Sequence, residues 1–382
     1  MHVRDWVRTL SSPALVPGRT EWNSLCAEAM APIVAASWLH SPEERRRFFV
    51  VTSDYDRALQ WQARLALFCV PQTFIRHLPD GPRGLFDDAP PERFALSERA
   101  AALNALASGE PVIILATPQA ALERGMSIQS FREHSITVRV GDDLDLEELL
   151  HHLDALGYER EEPARLPGGY SRRGGIVDVF AAGSEMPTRI ELFGSTIESL
   201  RSFDPDSQRS IRPTDALTIP PLRSVDATKS PAALESILDA VQALASKLPE
   251  DQFKVLMEAI DADSVPLSKG IFFDRLDSYL PFIESQVNCA LDFVENGVVF
   301  LEEPVELKIR AERAREDVDQ LLAHRFARGE SLQLDANGFL APVDRLLSSA
   351  WTVELTAQDG TGIELGFSSL VPYRGRADAI AK

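Results

Sequence analysis

The sequence predicts a multi-domain α/β protein built on a mostly parallel sheet flanked by helices. Three observations carry this. Short apolar runs, "RRFFVVTSD" (46–54) and "PVIILATP" (111–118), alternate with helical patterns, the rhythm of strands buried on both faces. At roughly 150 residues per domain, 382 residues suggest two or three units. From Tyr170 to Phe203 the pattern then switches to short strands separated by turn residues, a different architecture within the same chain.

Taken in order, "LSERAAALNALASGE" (96–110) reads as a helix stopped by Gly109 and followed by the 111–118 strand. "DLDLEELLHHLDALGYERE" (143–161) carries a helix start signal, with Asp145 as N-cap and Glu148 three residues on. Leu146, Leu149, Leu150, Leu153 and Leu156 follow at helical spacing, and Gly157 ends the run. The five acids from Asp142 to Glu148 invite a cation-site reading, but carboxylates at a helix N-terminus are each stabilising by about 0.3–1 kcal/mol without any ligand. In "TRIELFGSTIESLRSFD" (188–204) the period is two: Ile190 and Leu192 fall on one face, Arg189, Glu191 and Phe193 on the other. An apolar Phe193 beside Arg189 on the polar face has two readings. Arg and aromatic residues are enriched at interface hot spots; alternatively, another element covers Phe193 and an acid pairs with Arg189.

After the Pro-rich crossing "IRPTDALTIPPLRS" (211–224), helices are expected at 231–247 and 251–260, and a helix and buried strand in "CALDFVENGVVFLEEP" (289–304). A long helix follows in "ELKIRAERAREDVDQLLAHRFARGE" (306–330), where Arg313–Asp317 and Arg315–Asp319 at i,i+4 spacing suggest a solvated face. The last fifty residues hold two or three strand-like runs, and Asp359-Gly360 signals a hairpin turn. The chain stops at "RGRADAIAK" without completing an obvious domain, as a fragment would.

Composition narrows the function. Hydrophobic residues make up 45% and charged residues 25%, a globular balance, and no run approaches the roughly 18 apolar residues of a membrane span. The opening "MHVRDWVRTL" lacks the apolar stretch of a signal peptide, so a cytoplasmic location with no membrane partner is expected. Cys26, Cys69 and Cys289 are scattered and odd in number, which argues for isolated thiols over a disulfide framework or a metal site. His151 and His152 are adjacent and on a helix would diverge by about 100°, poor geometry for chelation. A net charge of −19 opposes binding of a phosphate backbone by the chain as a whole. Residues 163–213 depart from that trend, with seven arginines against six acids.

Those arginines gather around "GGYSRRGGIVDVF" (168–180). Four glycines there could cradle a phosphate or mark a tight backbone corner. The corner is the better reading: Gly174 and Gly175 let the strand bend so that Arg173 points outward. Nucleotide hydrolysis calls for a G-x-x-x-x-G-K-[ST] loop. The nearest stretch, "VPGRTEWNSLCAEAM" (16–30), has one glycine and no Lys-Ser or Lys-Thr pair, and no D-E-x-H sequence follows. Neither a G-x-S-x-G elbow nor a cysteine in a reactive context is present.

The stretch from Gly168 to Ile211 resembles the bacterial transcription-repair coupling factors (Mfd), in their part homologous to the excision-repair protein UvrB. Arg-Gly-Gly-Ile-Val-Asp-Val-Phe (173–180), Pro-Thr-Arg (187–189) and Phe-Asp-Pro-Asp-Ser-Gln-Arg-Ser (203–210) occur in the family's order, and weaker resemblance runs from about residue 10 to 329. The resemblance implies a degenerate helicase-like α/β domain without an ATP site, in parts 1–137 and 214–329. It also implies an inserted small α+β domain at 138–213 that binds UvrA, and the start of an incomplete following domain at 330–382. It carries UvrA contacts over to Arg173, Arg189 and Phe193, and implies no cofactor, no metal and no catalysis by this chain. A full-length factor would be a DNA-translocating ATPase with RNA polymerase and double-stranded DNA as further partners. The alternative function is a DNA-dependent ATPase of the UvrB type. Ser195 and Thr196 stand where the family tends to have acids, and Ala181 where proline is common.

Overall fold

The computed structural model describes residues 10, 12–68, 70–81 and 92–367. Cys69 and the terminal "RGRADAIAK" lie outside the described residues. In chain order the strands are β1 (Gly18–Leu25), β2 (Arg47–Val51), β3 (Ile75–Leu78), β4 (Val112–Ala116), β5 (Arg124–Met126), β6 (Ile136–Arg139), β7 (Glu159–Arg160), β8 (Gly169–Arg173), β9 (Ile176–Val179), β10 (Thr188–Phe193), β11 (Thr196–Phe203), β12 (Ser210–Pro213), β13 (Ala216–Ile219), β14 (Val287–Cys289), β15 (Val298–Glu302), β16 (Trp351–Leu355) and β17 (Ile363–Phe367).

The larger sheet has seven strands in the order β17-β1-β16-β15-β2-β4-β3, every neighbouring pair parallel. Its central strands β2, β4 and β15 are nearly continuous apolar runs because both their faces are covered. Phe49 and Val51 of β2, Ile114 of β4 and Leu301 of β15 enter one core; Phe48, Val50, Ile113 and Phe300 enter the core on the opposite face with Trp22, Trp38 and Trp61. The helix Arg93–Ser108 ends at Gly109 as the sequence indicates. A third core joins the helices Ser230–Gln242 and Glu250–Lys269 to residues 276–283 and 336–340. No helix among the described residues is long and apolar enough to cross a membrane.

The smaller sheet is six-stranded, in the order β12-β11-β10-β9-β8-β7, with the helix Leu146–Ala155 packed on one face. Asp145 caps that helix as expected, accepting from the Glu148 amide at 3.0 Å. Leu149 and Leu153 meet Val177, Ile190 and Leu200 in a separate core. All six strands lie in the chain between β6 and β13, which pair antiparallel from Ile136 opposite Ile219 to Arg139 opposite Ala216. Departure and return therefore run side by side.

Several expectations are corrected. The stretch after Cys289 forms a single 3-10 turn, Ala290–Phe293, capped by Asp292 on the Cys289 amide; Asn296 then takes a positive φ and the chain enters β15. The helix expected at 251–260 continues to Lys269, with Pro266 in its last turn. Asp359-Gly360 does not join a hairpin: β16 and β17 lie on opposite sides of β1, both parallel to it, so the connecting loop crosses the end of β1. β16, which lies within 330–382, pairs with both β1 and β15 in the seven-stranded sheet. Arg315 and Asp319 do not form a solvated pair. Arg315 donates to the carbonyls of Leu340 and Ala341, and Asp319 accepts from the Ala336 amide, so both anchor the loop packed on this helix.

Candidate functional site

The site is built on two adjacent hairpins of the smaller sheet. β8 and β9 turn through Gly174-Gly175, with Arg173 opposite Ile176, and β10 and β11 turn through Gly194-Ser195, with Phe193 opposite Thr196. Gly174 and Gly194 have φ of 63° and 67°, a region that side chains other than Gly rarely adopt and that two-residue hairpin turns require. Glu191 lies opposite Ile176, and the Leu192 amide donates to the Gly175 carbonyl at 3.0 Å, so the two turns sit side by side at one end of the sheet.

Directly opposed residues share a face, so Arg173, Ile176, Glu191 and Ser199 form one row, and Ser171, Asp178, Arg189 and Arg201 the next. This face is turned away from the helix Leu146–Ala155. Arg172, on the other side, pairs with Glu147 of that helix at 2.6 Å. The Arg173 side chain is exposed and has no hydrogen bond or ion pair among the described residues. Phe193 is 80% exposed, the most exposed large apolar side chain described.

Arg189 is placed differently from the other two. Its Nε and Nη2 donate to Asp178 Oδ1 and Oδ2 at 2.7 and 2.8 Å, a two-pronged ion pair across neighbouring strands. Its Cζ lies 4.6 Å from the centroid of the Phe203 ring, and Gln208 Oε1 accepts at 3.4 Å. The hydrogen bond to Asp178 and the nearby acids raise the Arg189 pKa against the effect of burial. Asp178 is 2% exposed, so the pair is an internal strut under the face. Of the two readings of this strand, pairing with an acid describes Arg189, whereas Phe193 is uncovered. The three sequence-derived residues thus share one face but divide into two that project outward and one engaged inside.

The pairing of Asp143, which precedes the helix Leu146–Ala155, with Ser195 and Thr196 at the β10–β11 turn was not legible in the sequence. Asp143 Oδ1 accepts from Thr196 Oγ1 at 2.9 Å and Ser195 Oγ at 3.3 Å. Asp178 was likewise missed, although the alternation of "GGIVDVF" sets it on the same face as Ile176 and opposite a strand carrying Arg189. A second polar cluster lies where the chain enters β6. His134 Nε2 is 3.1 Å from Asp226 Oδ2, and Lys229 Nζ is 2.7 Å from Glu284 Oε2. Burial pushes the Asp226 carboxyl up, but hydrogen bonds from His134 and Thr228 outweigh it and hold the pKa near about 2. At the position where a phosphate loop would lead into a helix, β1 ends at Leu25 and the helix starts at Ala27, so Cys26 alone makes the turn.

Residues 136–224 match the model of the UvrB interaction domain, a span that contains both hairpins and the β6–β13 pair. Among curated proteins, the chain is 30% identical over 241 residues to the transcription-repair-coupling factor of Bacillus subtilis, covering 62% of this chain and 20% of that protein. It is 29% identical over 270 residues to the factor of Myxococcus xanthus, covering 68% and 22%. It is 40% identical over 116 residues to that of Staphylococcus aureus, covering 30% and 10%. The alignments therefore span about one fifth of the length of the first two relatives. The domain match falls on the two-hairpin sheet, and the two longer alignments, of 241 and 270 residues, show that most of this chain is similar to part of the transcription-repair-coupling factors.

Proposed function

We propose that the chain is a UvrA-recruiting adaptor of transcription-coupled nucleotide excision repair, with Arg173 and Phe193 as its outward contacts and Arg189 as the strut that orders the face beneath them. One observation carries this reading: Phe193, 80% exposed, stands beside an unpaired Arg173 on two adjoining hairpin turns. An exposed Phe in solution gains nothing for folding; covered by a partner it contributes burial of about 2 kcal/mol, and an arginine beside it suits acids on that partner. The match to a UvrB interaction domain supports UvrA as the partner, and the relatives' name supports the pathway.

The adaptor unit is assigned to 138–213, and the parts at 1–137 and 214–329 to the α/β domain that displays it, with β16 contributed from beyond 329. The chain performs no catalysis in this reading. The missing phosphate loop and the one-residue turn at Cys26 support that. ATP-driven translocation on double-stranded DNA and RNA polymerase binding are assigned to the parts of a full-length factor outside the matched region, and the location to the cytoplasm.

Calorimetric titration of the chain with UvrA tests the proposal, with Arg173→Ala and Phe193→Ala alongside. The parent binds, and Phe193→Ala loses about 2 kcal/mol of affinity while keeping the parent's melting temperature. A parent that does not bind UvrA, or variants that bind as tightly as the parent, overturn the assignment. Titration with Mg-ATP gives no heat; saturable ATP binding overturns the non-catalytic reading.

A further inference from the structure

The outer edge of β11 is divided between two segments. β12 covers residues 201–203, and the stretch 141–144, just before the helix Leu146–Ala155, covers 195–197. Along that second half the Leu144 amide donates to the Ser195 carbonyl at 2.7 Å, the Ile197 amide to Asp142 at 2.9 Å and the Gly141 amide to Ile197 at 2.9 Å. Asp143 adds the side-chain link: both hydroxyls of the turn, Ser195 and Thr196, donate to its Oδ1. Thr196 is the residue directly opposite Phe193. A side chain that is 80% exposed has few packing contacts to hold its direction, so its attitude is set by the backbone that carries it.

We infer that Asp143 is a positioning residue for the partner surface: from outside the hairpin it fixes the β10–β11 turn through Ser195 and Thr196, and so holds Phe193 in its outward attitude. The chemistry of the turn agrees. Asp143 stands among the exposed acids Asp142, Asp145 and Glu147, with Glu198 just past the turn; Arg139 is the nearest exposed cation in sequence, and no cation pairs with Asp143 among the described residues. A carboxylate in that setting is matched by hydroxyl donors, and an acid at 195 or 196 would be repelled by it.

The inference rests on the proposed function for its binding readout and stands alone for its structural one. In the free protein, Asp143→Ala is expected to speed amide hydrogen exchange at Leu144 and Ile197 while leaving Ile190, in the middle of the sheet, unchanged. Asp143→Asn, whose amide oxygen still accepts, is expected to behave as the parent. With UvrA, Asp143→Ala is expected to weaken binding about fivefold, Asp143→Asn less than twofold, and the loss is expected to vanish when Phe193 is already Ala. Unchanged exchange at Leu144 and Ile197 overturns the clamp, whether or not UvrA binds. Asp143→Ala and Phe193→Ala losses that simply add overturn the action through Phe193. Failure of the parent itself to bind UvrA sinks the adaptor reading and leaves the exchange result to judge the clamp.

Discussion

Replacing Arg189 by Ala is expected to damage the sheet before it damages any contact with a partner. The change removes two charge-assisted hydrogen bonds of 2.7 and 2.8 Å and the cation over Phe203, and leaves Asp178, 2% exposed, without its counter-charge. Stranding one member of a buried ion pair costs roughly 3 kcal/mol, and the lost contact with the ring adds about 0.5–1 kcal/mol. The remaining carboxylate is the larger problem, so the double variant Arg189→Ala/Asp178→Ala should be more stable than Arg189→Ala alone. Scanning calorimetry and urea titration measure both, and each kcal/mol moves the melting point of a domain of this size by about 4–8 °C. An Arg189→Ala protein within about 0.5 kcal/mol of the parent would refute the reasoning, as would a double variant destabilised by the sum of the two single changes. The consequence for function is direct. Loss of UvrA binding in Arg189→Ala is not proof of contact, whereas loss in Phe193→Ala, which disturbs no packing, is.

Two further outcomes follow. His134 is raised above its ordinary 6.5, chiefly by the hydrogen bond to Asp226, against burial and Lys229, while Asp226 is lowered from 3.8 to about 2. The histidine's contribution is therefore complete below about pH 6.5 and lost as pH rises through its folded pKa; the aspartate's is complete above about pH 4 and lost as pH falls toward about 2. Lys229, Glu284 and the stacked His152 face the same cluster. Stability measured against pH should fall on the alkaline side of this window, and His134→Gln should remove that fall. Arg315→Ala should cost about 1–2 kcal/mol, because the Leu340 and Ala341 carbonyls lose their donor; a loss no larger than that of the exposed Arg313→Ala would show the anchor to be unimportant.

What the sequence disclosed was local. The runs at 47–51 and 112–116 read as buried strands because both faces of a covered parallel sheet are apolar, and the helix from Leu146 was marked by its own cap. The period of two from Arg189 to Phe193 placed those side chains on one face, and so pointed to the exposed ring. What it hid depended on partners distant in the chain. Whether Arg189 is free or paired is decided by the register of β10 against β9, which no pattern within either strand records. β16 joins strands whose residues lie far from it in sequence, and the Asp359-Gly360 turn signal could not report that β1 would stand between its two flanking strands. The i,i+4 spacing of Arg315 and Asp319 identified neighbours on a helix but not the loop that both would face. The hydroxyls at 195 and 196 read as departures from a family pattern until Asp143 appeared opposite them.

The antiparallel pairing of Ile136–Arg139 with Ala216–Ile219 bears on how such a protein can be assembled and rearranged. Outgoing and incoming backbones are one ladder spacing apart, about 5 Å, so to the seven-stranded sheet everything threaded between them is topologically equivalent to the loop of a hairpin. Once that ladder closes, loop length adds to closure entropy only logarithmically. The inserted sheet is in this sense a cassette: its length bears little on the register of the larger sheet, and its ties to that sheet are the β6–β13 ladder and the helix Arg93–Ser108, whose Leu96 and Ala100 enter its core.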